Sequence, residues 1–330
     1  MGMIRLAVDA MGGDYAPGEI IAGALQGAQD LGLGLILVGD RNAVNGELSK
    51  HPADGLDIEV VHAGDVIQMA EDPSQAVRSK PEASINVACR VVLEGRADGV
   101  LTMGHTGAGM VAALFNFGRI SGVERPAAIV PLLGLRQDLF LIDAGANADV
   151  RPNHLLQFAL MGSAYVKNVS NIPSPRVGLL SNGSEANKGN KTGKEAYTLL
   201  AASKWLNFAG NIEGHDILGG DIHLVVADGF VGNILLKSME GLTANLLGQA
   251  QGVAAELPGG PAATVQTYLE RLQAQYHYSR YGASTLLGVQ HPIFIGHGRS
   301  KAAAVRSGMA TAQRMIAANV IDSLITVFEG

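Results

Sequence analysis

Residues 3–17 read MIRLAVDAMGGDYAP, an apolar run followed at once by two acids around a Met-Gly-Gly turn. The apolar residues predict a buried strand, and the glycines predict a tight turn at its carboxyl end. In a doubly wound α/β sheet, ligands bind outside the carboxyl ends of the strands, where helix N-termini offer unpaired N–H groups. This stretch therefore predicts an α/β fold with a ligand site beside the turn.

Five further segments repeat this arrangement of a strand and a Gly-rich turn. The strand sequences VLTM, FLID, GLLS, LVVA and IFI lead into GHTGAG, AGAN, NGSEANKGN, DGFVGN and GHGRS. Several of these strands are apolar on both faces, which is typical of parallel or mixed sheets that helices cover. We expect all six turns to lie at one edge of the sheet, where they would form a backbone-lined site for an anion.

Composition narrows the class of protein. The chain has 330 residues with a net charge of -6, and only 5% of them are aromatic. These values argue against nucleic-acid binding, which favours a basic face and aromatic stacking platforms. No apolar run approaches the roughly 18 residues of a membrane span, and the first residues lack the layout of a signal peptide. A cytoplasmic protein is expected.

The chain is expected to form a single α/β domain over residues 1–330, because it shows no low-complexity linker and no fixed-period repeat. One stretch departs from the alternation of strands and helices. It is a helical excursion at about 233–281, which Pro258 and Pro261 interrupt because proline cannot continue a helix.

Standard catalytic signatures are incomplete in this sequence. Residues 107–112 (GAGMVA) match a dinucleotide fingerprint, but no acid ends the next strand to hold a ribose. The nine histidines show no metal-ligand spacing, so neither a metal nor another cofactor is expected. Cys89 has apolar neighbours at helical spacing, which predicts a core residue rather than a nucleophile.

Eight motifs occur in order along nearly the whole chain. They are DAMGGD, GHTGA, DAGAN, VGLLSNGSEANKGN, FAGNIEGHD, ADGFVGN with LLKSMEG, YGASTLLGV and HGRS. Together they resemble the motifs of the phosphate acyltransferases of bacterial phospholipid synthesis. The resemblance implies a three-layer α/β/α Rossmann-like sheet, similar to that of isocitrate and isopropylmalate dehydrogenases.

The same resemblance implies an activity and its partners. A fatty acyl group would pass from acyl carrier protein to inorganic phosphate, giving an acyl phosphate for a membrane glycerol-3-phosphate acyltransferase. It further implies a homodimer, contact with that acyltransferase, and at most weak peripheral association with the inner membrane. Because acyl carrier protein is acidic, we expect a local basic patch to receive it.

Site residues are carried over from the resemblance. Lys188 is expected to anchor the phosphate charge, and Asn233 to orient the phosphate or the thioester carbonyl. A solvated loop lysine and a helix N-cap are the structural alternatives for these two residues, and Asp14 has the alternative of capping a helix near Pro17. The other expected phosphate- or substrate-binding residues are Asp9, Gly12, Gly13, Asp14, His105, Thr106, Gly107, Asn147, Asn190, Asp228, Gly229 and His297.

The chemistry needs no catalytic triad. Phosphate is largely a dianion near neutral pH, and a thiol with a pKa near 8.5 leaves without much acid assistance. Three alternatives stay open at this stage: an NAD-dependent dehydrogenase, a non-catalytic anion-binding regulatory protein, and acyl transfer from coenzyme A.

Overall fold

The structure is a computed structural model that describes residues 2–132, 138–219, 221–255, 260–276 and 278–329. Within these residues, eleven strands form one sheet. The strands are β1 (Arg5–Asp9), β2 (Gly34–Gly39), β3 (Ile58–His62), β4 (Gly99–Thr102), β5 (Ala127–Pro131), β6 (Phe140–Ile142), β7 (Arg176–Leu180), β8 (Asn207–Ile212), β9 (Leu224–Val226), β10 (Ala283–Leu287) and β11 (Ile293–Gly296).

Helices connect the strands and cover both faces of the sheet. They are α1 (Gly18–Leu31), α2 (Arg41–Leu48), α3 (Pro73–Ser79), α4 (Ser84–Leu93), α5 (Thr106–Asn116), α6 (Pro152–Ser170), α7 (Lys191–Ala202), α8 (Asp216–Gly219), α9 (Gly229–Ala255), α10 (Gly260–Tyr276), α11 (Ala302–Ala317) and α12 (Val320–Glu329).

The alternation of side chains along β1 shows how the core is built. Leu6 and Val8 join the apolar cluster on one face of the sheet, together with buried residues of α1, α6 and α11. Ala7 joins the cluster on the other face, with buried residues of α4 and α5. Because both faces are buried, the strand is apolar throughout, as its sequence predicts.

The direction of the strands divides the sheet into two halves. The order is β3-β2-β1-β4-β11-β10-β5-β6-β9-β7-β8. Strands pair in parallel from β3 to β11 and again from β6 to β8, whereas β10 and β5 are antiparallel to both of their neighbours. These three reversals make the two parallel halves run in opposite directions.

The prediction that all six Gly-rich turns share one edge is therefore wrong. The turns after β1, β4 and β11 lie at one edge of the sheet, and those after β6, β7 and β9 lie at the opposite edge. The prediction assumed that the six strands before these turns run in the same direction, and the antiparallel pairing of β10 and β5 overturns that assumption.

Three further expectations concern Cys89, the helical excursion and the membrane-spanning segments. The core position of Cys89 is confirmed, since the residue is fully buried and burial raises the pKa of its thiol. The helical excursion contains α9 and α10, while Pro258 lies outside the described residues. In the described part of the chain, no helix combines the length and apolarity needed to cross a membrane.

Candidate active site

The turn after β1 is closed around a buried carboxylate. Asp9 Oδ2 accepts the Thr102 hydroxyl at 2.7 Å, and Asp9 Oδ1 accepts the Met11 N–H at 3.3 Å. Burial raises the pKa of Asp9, although hydrogen bonds from Ser84 and Thr102 oppose this shift. The cavity beside the turn has a volume of only about 10 Å³. Asp9 therefore stabilises the turn from within.

The residues after Asp9 pack against the other turns of the same edge. Gly13 has a φ of +111°, and a Cβ there would lie 3.0 Å from the Met103 carbonyl oxygen. The N–H of Asp14 donates to the Gly298 carbonyl at 2.8 Å, and its side chain is exposed. Pro17 occupies the N-cap position of α1, so the alternative that Asp14 caps this helix is wrong. These contacts join the turns after β1, β4 and β11.

The turn after β4 begins α5 through a side-chain cap. His105 Nδ1 accepts the Ala108 N–H at 3.3 Å, which makes His105 the N-cap of the helix. Thr106 and Gly107 form its first turn. A Cβ on Gly109 would lie 3.1 Å from the Ile295 side chain. Close packing of the helix on the sheet thus accounts for this glycine of GAGMVA without a dinucleotide.

The turn after β6 is organised by Asp143, which sequence reasoning did not select. Its Oδ1 accepts the N–H groups of Ala128 at 3.0 Å, Gly145 at 3.2 Å and Ala146 at 2.9 Å. Its Oδ2 accepts the backbone N–H and the side-chain amide of Asn147 at 2.7 and 2.9 Å. Burial raises the pKa of Asp143, and these hydrogen bonds oppose the shift. The signal for Asp143 is its place in DAGAN, which matches the place of Asp9 in DAMGGD.

The start of α9 is fixed against this turn. Asp228 Oδ1 accepts the Val231 N–H at 2.8 Å, and the Gly229 N–H donates to the Asn147 carbonyl at 2.8 Å. A Cβ on Gly229 would lie 2.8 Å from Asn147 backbone atoms, so only glycine fits without a shift. Because Asp228 caps the helix, the alternative that Asn233 is an N-cap is wrong.

A cavity of about 300 Å³ lies against the central strands β5, β10 and β11, where the two halves of the sheet meet. Thr106 and His297 reach it from one edge, and Gly145 reaches it from the other. Asn233 lines it from α9, one turn inside the helix. Apolar side chains form much of the remaining wall: Met110, Val130, Leu236, Leu286 and Ile295.

Lys237 provides a cation at this cavity and was missed by the sequence analysis. Its Nζ lies 2.9 Å from His297 Nε2 and 2.9 Å from Glu240 Oε2. The Tyr281 hydroxyl donates to Glu240 Oε1 at 2.7 Å. Burial and the nearby ammonium of Lys237 lower the pKa of His297, which favours a neutral ring that accepts from Lys237. Lys237 could have been found, because it follows Asn233 by four residues and so shares its helix face.

Lys188 and Asn190 lie elsewhere, in the loop that precedes α7, and a second cavity of about 400 Å³ lies beside this loop. Asn190 lines this cavity and caps α7, since its Oδ1 accepts the Gly193 N–H at 2.7 Å. Lys188 is exposed in the loop just before it. Asp228 lines the same cavity, on the opposite side of the α9 N-terminus from Asn233. The predicted residues thus do not form one site: Thr106, Asn233 and His297 line the central cavity, whereas Asn190 and Asp228 line the second.

One cluster has the donor types of a metal site. Glu213, His215 and Asp216 place ligand atoms within 4.8 Å of one another, the only such group in the described ranges. Asp216 Oδ2 accepts the Glu213 N–H at 3.0 Å, and His215 Nε2 lies 3.3 Å from Asp216 Oδ1. These contacts account for the cluster, and exposed acidic groups are common without a metal.

Comparison with known proteins identifies the family. Residues 4–323 match the family described as "Fatty acid synthesis protein", to which the chain therefore belongs. A phosphate acyltransferase of Desulforamulus reducens is 43% identical over 325 residues, covering 98% of this chain and 96% of the relative. A phosphate acyltransferase of Nitratidesulfovibrio vulgaris is 41% identical over 313 residues, covering 94% and 91%.

Solved structures share the fold. A phosphotransacetylase from Streptococcus pyogenes superposes with a TM-score of 0.60 at 16% identity, covering 97% of this chain and 94% of that one. A 4-hydroxythreonine-4-phosphate dehydrogenase from Klebsiella pneumoniae gives a TM-score of 0.52 at 12% identity, covering 95% and 98%. The fold is thus an α/β fold with a large mixed sheet, which transferases and dehydrogenases both use, so the fold alone does not define the chemistry.

Proposed function

We propose that this phosphate acyltransferase transfers a long-chain fatty acyl group from acyl carrier protein to inorganic phosphate, reversibly forming an acyl phosphate for phospholipid synthesis. That the chain is an acyltransferase acting on phosphate rests on its full-length similarity to phosphate acyltransferases. Acyl carrier protein as donor is the proposed part, and the family's description as a fatty acid synthesis protein supports it.

The central cavity carries the proposal. It brings a cation and an amide side chain to one wall, with apolar side chains opposite, and such a site suits a charged nucleophile beside an acyl chain. A phosphate oxygen attacks the thioester carbonyl carbon, the C–O bond forms, and negative charge develops on the carbonyl oxygen. The C–S bond then breaks, and the thiolate leaves and takes a proton from solvent.

Lys237 and Asn233 have distinct tasks in this step. The Lys237 ammonium, held by Glu240 and His297, stabilises the charge on the phosphate and on the developing oxyanion. The Asn233 amide donates to the same oxygens and fixes their orientation. No proton needs to be removed from the phosphate dianion, which is why no general base is required.

Lys188 is proposed as a second anchor for phosphate charge. Among the described residues, its ammonium has no carboxylate partner within ion-pair distance, and the adjoining Gly189 and Asn190 line the neighbouring cavity. Phosphate held there would lie beside the α7 N-terminus, which favours anions. The remaining residues carried over by the resemblance stay predictions, as do the isopropylmalate dehydrogenase-like classification and the single-domain organisation.

A homodimer is proposed through the outer face of α9. Phe230, Ile234, Leu242, Leu246 and Val253 on this helix are 50–64% exposed. They extend over roughly 35 Å of helix at about 1.5 Å per residue. Exposed apolar side chains spread along a helix in this way are typical of an interface, and a second copy would bury them. Contact with a membrane glycerol-3-phosphate acyltransferase stays a prediction.

The test is thiol release from palmitoyl-acyl carrier protein by the purified protein, with and without phosphate. We expect phosphate-dependent release, and we expect Lys237→Met to lower kcat by about 10²–10³. Lys188→Ala and Asn233→Ala should each weaken the reaction by at least about tenfold. Lys194→Met is the matched control, because Lys194 is an exposed lysine of α7 outside both cavities.

Two results would contradict the proposal. If no thiol is released from palmitoyl-acyl carrier protein, the proposal that acyl carrier protein is the donor is contradicted. Equal activities of the Lys237→Met and Lys194→Met variants would remove the role of Lys237, and tight NADH binding in a fluorescence titration would revive the dehydrogenase alternative.

A further inference from the structure

A third cavity, of about 500 Å³, lies between α9 and α10. It adjoins the central cavity, because Lys237 lines both. On α9 the groove follows one face of the helix, with lining residues spaced three or four apart. These residues include Lys237, Gly241, Ala244, Gly248 and Gln251. The groove is therefore a continuous extension of the site along the helix.

The walls of this groove differ in chemistry from those of the central cavity. Gln251 Nε2 donates to Gln273 Oε1 at 2.7 Å, which places two side-chain amides at its far end. The Thr243 hydroxyl also lines it, and Gly241 and Gly248 leave its floor without side chains. A polar chain that carries amides finds hydrogen-bonding partners here, whereas an alkyl chain is better placed against the apolar wall of the central cavity.

The length of the groove sets a second condition on its occupant. From Lys237 to Gln251 the helix rises roughly 21 Å at about 1.5 Å per residue. The phosphopantetheine arm carries the thiol of an acyl carrier protein. Its main chain has about as many bonds as a peptide of a little over four residues, so it extends roughly 15 Å. Such an arm fits within the groove with its thiol at Lys237.

We propose that the groove between α9 and α10 binds the amide-bearing pantetheine arm of the donor. This inference rests on the proposed function, and it places the acyl group in the central cavity and the carrier beyond Gln251. Coenzyme A carries the same arm, so the groove recognises chemistry that the two thioesters share, and the carrier protein is distinguished only outside the groove.

The glycines of α9 allow a direct test. A Cβ on Gly248 would meet no atom within 4 Å, so the side chain of Gly248→Phe starts in open space at the groove. Gly252 lies one turn further along α9, also has open space around a Cβ, and is not among the residues lining the groove. Gly252→Phe is therefore a control with the same change in helix propensity and apolar surface.

The measurement is kcat/KM for phosphate-dependent thiol release from three palmitoyl thioesters. The donors are the acyl carrier protein, coenzyme A, and N-acetylcysteamine, which keeps only the thiol end of the arm. We expect Gly248→Phe to lower kcat/KM at least tenfold for the first two, mainly through KM, and less than twofold for the third. Gly252→Phe should leave the values for coenzyme A and N-acetylcysteamine unchanged, whereas its effect with the carrier protein reports on contact with the carrier beyond Gln251.

Several outcomes would overturn the inference. Equal losses with all three donors would assign the groove to the acyl chain, a loss with the carrier protein alone would assign it to protein docking, and no loss would leave it unoccupied. Equal losses in the Gly248→Phe and Gly252→Phe variants would assign the effect to the helix surface.

Calorimetric titration with free pantetheine separates this inference from the proposed function. Binding to the wild type that Gly248→Phe abolishes and Gly252→Phe retains would support the groove even if no thioester reacts. Failure of the wild type to release thiol from any donor would contradict the proposed function alone. Failure to bind pantetheine in an active enzyme would contradict the groove alone.

Discussion

The turns after β1 and β6 begin with the same dipeptide, Asp9-Ala10 and Asp143-Ala144, yet they have different surroundings. Asp9 accepts hydrogen bonds from the Thr102 and Ser84 side chains and from the Met11 N–H, and the cavity beside it has a volume of about 10 Å³. Asp143 accepts four backbone N–H groups and a side-chain amide. Its turn forms part of the wall of the cavity of about 300 Å³.

The difference comes from the neighbours of each strand. β1 lies between two parallel neighbours, β2 and β4, inside one half of the sheet. β6 pairs antiparallel with β5, next to the place where the strand direction reverses. A Gly-rich turn with a buried acid is thus not by itself a site, because the strands beside it decide whether it opens onto a cavity.

The largest effect is expected for Asp143→Asn. The amide would replace one carboxylate oxygen by an NH₂ group that faces N–H donors, because both oxygens accept at least two hydrogen bonds. We expect a loss of about 2–4 kcal/mol in the free energy of unfolding and at least a hundredfold loss of activity as the Gly145 turn moves. Urea denaturation and the thiol-release assay measure both, and wild-type values in the variant would contradict the role of Asp143.

The free energy of unfolding should depend on pH through the buried carboxyl group of Asp9. Because burial raises the pKa of Asp9 above 3.8, the folded state holds this proton more tightly than the unfolded state. Its contribution to stability is present at low pH and is lost as the pH rises through the folded pKa, with a slope of at most about 1.4 kcal/mol per pH unit. Urea denaturation should show the wild type losing stability relative to Asp9→Asn, whose amide does not titrate, as the pH rises from 3.8. A difference in the free energy of unfolding that stays constant with pH would contradict the raised pKa of Asp9.

A smaller effect is expected for Asp9→Asn near neutral pH. An amide can donate to the Thr102 oxygen while its own oxygen accepts from Met11, so the hydrogen bonds with these two residues survive. We expect a stability change within about 1 kcal/mol and activity within about threefold of the wild type. A large rise in KM for phosphate would instead support direct phosphate binding at this turn, as the sequence analysis expects.

The smallest effect concerns Cys89, which lies behind the Asp9 turn. Burial and the charge of Asp9 raise the pKa of its thiol, so the folded protein should react with a disulfide reagent only on unfolding. Labelling kinetics in native buffer and in urea measure this. Rapid labelling of the folded protein would show that the Asp9 turn opens more readily than its hydrogen bonds indicate.

Most strands of the fold can be predicted from the sequence, but β10 cannot. Its five residues, Ala283–Leu287, lie between Gly282 and Gly288 and give no helical or alternating pattern long enough to predict a strand. The sequence over 300–328 predicts one helix, but the structure has two, α11 and α12, separated at Asn319, where φ is 51°. Asparagine adopts this left-handed conformation more readily than most residues, which is a signal that the sequence analysis could have used.

The candidate site was predicted in part, for a physical reason. Asn233 and His297 follow Gly-rich turns, and both line the central cavity. Lys237 and Asp143 were missed because their roles depend on partners distant in sequence: His297 for the lysine, and the Ala128 N–H for the carboxylate. The spacing of Lys237 from Asn233 and the place of Asp143 in DAGAN mark the two residues, but no local pattern records their partners.

The sequence by itself determined the buried strands, the Gly-rich turns that follow them, the core position of Cys89 and the resemblance to phosphate acyltransferases. These features depend on apolar periodicity and on residues that are close along the chain. The tertiary structure alone decided which turns meet. Three antiparallel pairings in the middle of the sheet place the two halves in opposite directions. They create a cavity between turns that the order of the motifs would have placed together at one edge.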